Sequence, residues 1–163
     1  LVRSRSLAGD AAVRDRFEKI RIESLQAHRD LAQINTDVIA MRLRMRNELD
    51  RSTGKRFDLK QGLGGLVDME FYLQARVLAL ANAGGDVLLV QRSPDILRAL
   101  QLSGDIDAED AAILQAHYEN LIAHSMICSL DQRPRIAELS EELGLRCREA
   151  MEIYARKGLD FGA

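Results

Sequence analysis

Apolar positions recur at helical intervals along most of the chain. From Asp10 to about His28, Val13, Phe17, Ile20 and Leu25 return every three to five residues and predict one amphipathic helix. Thr36, read as an N-cap, opens a second helix whose stripe is Val38, Met41, Met45 and Leu49. Arg42 and Arg46 lie one helical turn apart on it and share a face. Residues 51–65, RSTGKRFDLKQGLGG, are polar and glycine-rich and predict a turn, short strand or loop. The longest apolar helix follows from Leu66 to about Ala83, closed by Gly84 and Gly85. Pro94 in a first turn, with Ser93 as its cap, predicts a short helix to about Leu102. Asp107 caps another that runs to about Leu130. After Pro134, one or two helices fill the remainder, broken near Gly144 and ending before Gly158. No stretch alternates as the strands of a β domain do, and no internal repeat is visible. The pattern predicts an all-α fold, a helical bundle forming a single helical domain over 1–163, monomeric and folded without metal or disulfide.

Composition sharpens this picture by exclusion. At 163 residues, 47% hydrophobic and 29% charged, the chain is neither disordered nor too short to bury a core. Its 4% aromatic content, absence of Trp and two prolines favour helices over sheets. A net charge of −2 argues against nucleic acid as a partner. No apolar run approaches the roughly 20 residues of a membrane span, so no membrane partner is expected. Cys128 and Cys147 have no CxxC spacing, and read as reduced core thiols of a cytoplasmic protein. The chain opens on Leu1, without Met and without a signal-peptide core, and is expected to be a piece of something longer. Charge is divided: residues 1–60 carry 14 Lys/Arg against 9 Asp/Glu, and residues 61–163 carry 9 against 16. A basic front suits either an anionic ligand or simply solvated helix faces.

Several groups resemble chemistry without carrying it. Asp105 and Asp107 have the spacing of a magnesium-binding carboxylate pair, but a helix begins at once, so they read as a helix cap. His117, His124 and Cys128 share a helix face, but His117 and His124 are seven residues apart, about 10 Å along the axis and too far to grip one ion, and read as packing or surface residues. No metal site and no catalytic residue is expected here. The run Phe57 to Phe71, FDLKQGLGGLVDMEF, is different. It sets Lys60 and three glycines, Gly62, Gly64 and Gly65, before a helix start whose free N–H groups suit a phosphate. It is neither a Walker A loop nor a GxGxxG motif. The structural alternative is a turn in which Lys60 pairs with Asp68 or Glu70.

This run closely resembles the signature Asp-(Ile/Leu)-Lys-x-Gly-x-Gly-Gly-(Ile/Leu)-x-Asp-(Ile/Leu)-Glu-Phe of glutamine-synthetase adenylyltransferases, with Met69 where Ile is usual. The likeness extends from Leu1-Val2-Arg3-Ser4-Arg5 and Gly9-Asp10, through Met41-Arg42 and Met45-Arg46, to Leu97–Leu114. Such enzymes have adenylylating and adenylyl-removing halves, each a nucleotidyltransferase domain followed by a helical bundle. The resemblance implies a helical bundle, most like that of the C-terminal, adenylylating half, helping bind ATP while AMP passes to a tyrosine of glutamine synthetase. It implies Lys60, Gly62, Gly64, Gly65, Asp68, Glu70, Arg42 and Arg46 as nucleotide-binding residues. Magnesium and ATP are the implied cofactors, with Mg2+ held by carboxylates of the missing nucleotidyltransferase domain, so this chain alone is expected to be inactive. Implied partners are that domain, glutamine synthetase and the PII signal protein. The alternatives are a regulatory or scaffold module that docks PII or glutamine synthetase, or the corresponding domain of a PII uridylyltransferase. Asp-Met-Glu-Phe after the double glycine favours the adenylyltransferase.

Overall fold

The structure, a computed structural model, describes residues 1–81 and 89–162. Among the described residues the order is α1 (Ala11–Gln26), α2 (Leu31–Leu49), β1 (Arg56–Asp58), α3 (Leu66–Ala81), α4 (Ser93–Leu102), α5 (Ala108–Leu130), β2 (Ile136–Glu138) and α6 (Glu141–Arg156). The fold is all-α, as expected, with one small addition. β1 and β2 pair antiparallel with Phe57 opposite Ala137, a strand pair too short to leave a period-2 signature. Gly84 and Gly85, expected to close α3, lie outside the described residues. Among the described residues no helix is long and apolar enough to cross a membrane.

Helix starts follow the capping chemistry more closely than the apolar stripes do. Asp10 caps α1 by accepting from Ala12 N at 2.9 Å, and Asp107 caps α5 by accepting from Asp110 N at 2.8 Å. Pro94 sits in the first turn of α4, but Ser93 is helical there and makes no capping bond. The start of α2 is corrected from Thr36 to Asp30, whose carboxylate accepts from Ala32 N at 2.9 Å. Thr36 lies inside the helix and bonds back to Ala32 O at 2.9 Å. Gly144 does not break α6. It lies in a first turn already fixed by Ser140, whose hydroxyl accepts from Leu143 N at 3.2 Å, and a single helical glycine costs only about 1 kcal/mol there.

Two stripes are rotated from expectation. Val13 and Ile20 are exposed, because residues 11–16 of α1 bury nothing and its inward positions are Arg21 and Leu25 near the C-terminal end. On α2, Met41 and Leu49 face water while Ile34, Val38 and Ile39 pack on the core in line with Arg42. An arginine on the buried face hid that face from a hydrophobic count.

α3 is the central element, in contact with α1, α2, α4 and α5. Its Met69, Tyr72, Leu73 and Val77 join Ile96, Leu97 and Leu100 of α4, Leu114 of α5 and Ile153 and Tyr154 of α6 in the main core. Tyr72 and Tyr154 lie 4.6 Å apart between ring centroids, and Phe161 meets Tyr154 edge-on at 5.9 Å. A second apolar cluster of Phe57, Leu59, Leu66, Leu121, Cys128, Leu143 and Cys147 lies between the small sheet, α5 and α6. The glycine-rich loop leading into α3 rests on it.

Candidate functional site

The loop from Asp58 to Leu66 is held by its own backbone and by three buried side chains. Asp58 begins the turn: its Oδ1 accepts from Lys60 N at 3.0 Å and from Gln61 N at 2.9 Å. Asp68, in the first turn of α3, reaches back so that Oδ2 accepts from Gly64 N at 2.6 Å, while its Oδ1 takes the Arg42 Nε–H. Arg42 also donates through Nη2 to Gln61 O at 2.6 Å. Neither Arg42 nor Asp68 has any exposed surface. Burial raises the Asp68 carboxyl above its ordinary value, opposed by the Arg42 charge, the Gly64 N–H and the Arg46 charge.

The glycines are explained by close approach inside the protein. Gly64 has φ +83°, and a Cβ there would come 2.8 Å from Cys147 Cβ. A Cβ on Gly62 would lie 2.5 Å from the Phe57 ring, and one on Gly65 would lie 2.8 Å from Gly62 O. Cys147 itself is buried, which pushes its thiol up to about 12, so it acts as a packing residue. Most of the N–H groups at the start of α3 are already used inside the chain, which corrects the sequence reading. Gly65 N donates to Gly62 O at 2.8 Å, Leu66 N to Leu59 O at 3.0 Å and Val67 N to Lys60 O at 3.1 Å.

His117 is a member of this assembly that the sequence did not single out for it. On α5, it is fully buried with Nε2 2.7 Å from Gly64 O. A carbonyl only accepts, so Nε2 carries the hydrogen and Nδ1, without a partner, is bare. Burial lowers the His117 pKa below its ordinary value, opposed by the bond to Gly64; Arg146 lowers it further and Glu149 raises it. The unfolded chain therefore binds a proton more readily than the folded one. Stability from this group is present above about pH 6.5 and is lost as pH falls through the folded value. Melting measured from pH 7.5 to 5 should show a steeper acid loss in the wild type than in His117→Gln, whose amide can still donate to Gly64 O. Equal slopes would remove His117 from this account.

The charged groups around the loop fall into two kinds. Lys60 does not pair with Asp68 or Glu70, the partners its structural alternative required. Asp68 belongs to Arg42, and Glu70 Oε1 lies 2.6 Å from Arg3 Nη1. The Lys60 side chain is exposed and without a hydrogen bond or ion pair among the described residues. It shares a pocket of about 340 Å³ with Arg51 and Arg135, whose side chains are also exposed and unpaired, over a wall of Asp58 and Gln61. Sequence reasoning missed Arg51 and Arg135, because the second arrives through the β1–β2 pairing and carries no local motif. Arg46 is half-buried, with Nη2 3.8 Å from Asp68 Oδ1 and with Nε and Nη2 lacking hydrogen-bond partners. Burial lowers its pKa.

The remaining candidates do not assemble into a metal centre. Asp107 caps α5 as expected. Asp105 is not part of that cap: Arg76 grips it through Nη2 at 2.5 Å and Nε at 3.0 Å. His124 is exposed and bonded to Asn120 O at 2.9 Å, and both cysteines are free and buried. Among the described residues no group of three or more His, Cys, Asp and Glu could hold a metal ion.

No family model matches the chain. Over 136 residues, 83% of its length, the chain is 47% identical to the bifunctional glutamine synthetase adenylyltransferase/adenylyl-removing enzyme of Xanthomonas axonopodis pv. citri (strain 306), covering 14% of that protein. It is 44% identical over 155 residues, 95% of its length, to the protein of the same name from Xanthomonas campestris pv. campestris (strain B100), covering 16%. With that of Stenotrophomonas maltophilia (strain K279a) it shares 40% identity over 147 residues, covering 16%. The chain thus spans about one seventh of the length of these relatives.

Proposed function

Since the chain belongs to the bifunctional glutamine synthetase adenylyltransferase/adenylyl-removing enzyme family, we propose that it is the helical segment lining the nucleotide site of such an enzyme. In this reading it forms a single helical domain of the C-terminal, adenylylating half. It helps bind ATP for transfer of AMP to a tyrosine of glutamine synthetase in the cytoplasm, under the influence of a PII protein. The observation that carries it is the free Lys60 ammonium beside the free Arg51 and Arg135 guanidiniums on the wall of the signature loop. Three unpaired cations in one pocket match a polyphosphate, whose charge grows on the leaving pyrophosphate as the α-phosphoryl group transfers.

The site residues divide the work. Lys60 meets phosphate, and Arg46 adds positive charge from behind the loop, its buried guanidinium facing Asp68. Arg42 and Asp68 are buried against each other and set the loop that carries Lys60. Gly62, Gly64 and Gly65 let that loop close on Phe57 and Cys147. Glu70 fixes the Arg3 end of the chain against α3. Magnesium does not fit these residues, since Asp105 is engaged by Arg76 and Asp107 by its cap, so the ion is assigned to carboxylates outside this chain. The chain alone is accordingly expected to be inactive. In the intact enzyme, Arg51→Ala/Arg135→Ala should weaken ATP binding by at least about tenfold, since two charge-assisted contacts are lost, with unchanged melting because both side chains are exposed. An unaltered dissociation constant by calorimetry would count against the pocket.

A further inference from the structure

A second basic cavity lies at the other charged feature of the front of the chain and does not depend on the transferase reading. It has a volume of about 660 Å³, within the range of small-ligand sites, and is lined by Arg3, Arg5, Arg92, Ser93, Tyr118 and Ile122. Among the described residues no acidic side chain lines it. Arg3 is tied to Glu70, but Arg5 has no partner among the described residues. Arg92 has only Asp95, at 3.8 Å between two exposed side chains, a contact worth little in water.

The floor of the cavity is the start of α4. No side chain caps this ten-residue helix, so the donors of its first turn have no side-chain partner. Independently, Ser93 is only 3% exposed, lines the cavity and makes no side-chain hydrogen bond. Its hydroxyl is not among the sealed, partnerless polar atoms of the interior, so what little of Ser93 is accessible opens on the cavity, where a ligand oxygen would meet it. Tyr118 and Ile122, neighbours on one face of α5, form an apolar wall beside the charged end.

We propose that this cavity binds a phosphorylated small molecule. The phosphate sits on the Ser93 hydroxyl at the start of α4, between the Arg5 and Arg92 guanidiniums, and the rest of the ligand lies along Tyr118 and Ile122. Guanidinium pairs and an uncapped helix start each favour a phosphate dianion, and here they converge on one point.

The test is a titration of the 163-residue chain with pyrophosphate, followed by nuclear magnetic resonance at the backbone amides of Ser93, Asp95 and Ile96. These signals should shift saturably, and Arg5→Gln/Arg92→Gln should raise the dissociation constant read there at least tenfold. Ser93→Ala should raise it severalfold. Arg5 and Arg92 are exposed, so their replacement should leave the melting temperature unchanged. ATP that binds more tightly and also moves the Tyr118 ring signals supports a nucleoside phosphate. ATP equal to pyrophosphate, with Tyr118 unmoved, supports recognition of the phosphate alone. Amides of Ser93, Asp95 and Ile96 that do not respond to millimolar pyrophosphate, or that respond equally in the double variant, overturn the proposal.

Discussion

Asp68→Ala should destabilise the chain by about 3–5 kcal/mol, the cost of leaving the buried Arg42 guanidinium without its counter-ion. At roughly 2–4 °C per kcal/mol for a chain of this size, the melting temperature falls by about 6–20 °C. The loss exceeds that of an ordinary polar contact because three groups lose their partner together: Arg42 Nε, the Gly64 N–H and, through Arg42, the support of Gln61 O. Replacing both partners tests the cause. Arg42→Met/Asp68→Leu removes both charges and should recover a large part of the stability lost in either single variant, a positive coupling in a double-mutant cycle. A loss below about 1 kcal/mol for Asp68→Ala, or strict additivity in the cycle, would show that the pair does not hold the loop.

Much of the architecture was legible where local chemistry decides it. Asp10, Pro94 and Asp107 mark helix starts that the structure reproduces, because a cap or a proline acts within one turn. The faces of α1 and α2 were less legible. The outer half of α1 packs against nothing among the described residues, so the apolar residues Val13 and Ile20 stay in water. The inward face of α2 carries an arginine that is apolar to no scale yet is fully buried by its ion pair. β2 was missed because three residues are too few to show a period, and its pairing with β1 is a long-range event.

The candidate site shows the same division. The signature loop and the place of Lys60 in it stand out in the sequence, since the residue types and their spacing are local, whereas whether Lys60 pairs with Asp68 or Glu70 does not. The companions of Lys60 do not. Arg51 and Arg135 meet it only after the sheet has formed, and His117 reaches Gly64 from the middle of α5. The glycines were legible as a close approach, but the approaching atoms belong to Phe57 and Cys147 of the same chain.

Lys60→Ala should lower the rate of AMP transfer by the intact enzyme roughly 10- to 150-fold, the equivalent of about 1.5–3 kcal/mol for one charge-assisted contact to a polyphosphate. The side chain is exposed and unpaired, so its removal strands no acid and leaves no cavity. Folding should therefore be untouched, in contrast to Asp68→Ala. Lys60→Arg should restore part of the rate, because the charge returns with a different reach and donor geometry. Like the other two cations, Lys60 should act more weakly as ionic strength rises, since the pocket opens to solvent.

The most direct measurement is the rate of AMP transfer to glutamine synthetase by the intact enzyme carrying Lys60→Ala, taken alongside its melting temperature. If Lys60 meets the polyphosphate, the rate falls at least tenfold at an unchanged melting temperature; a wild-type rate, or a rate that falls only in step with melting, would exclude that role.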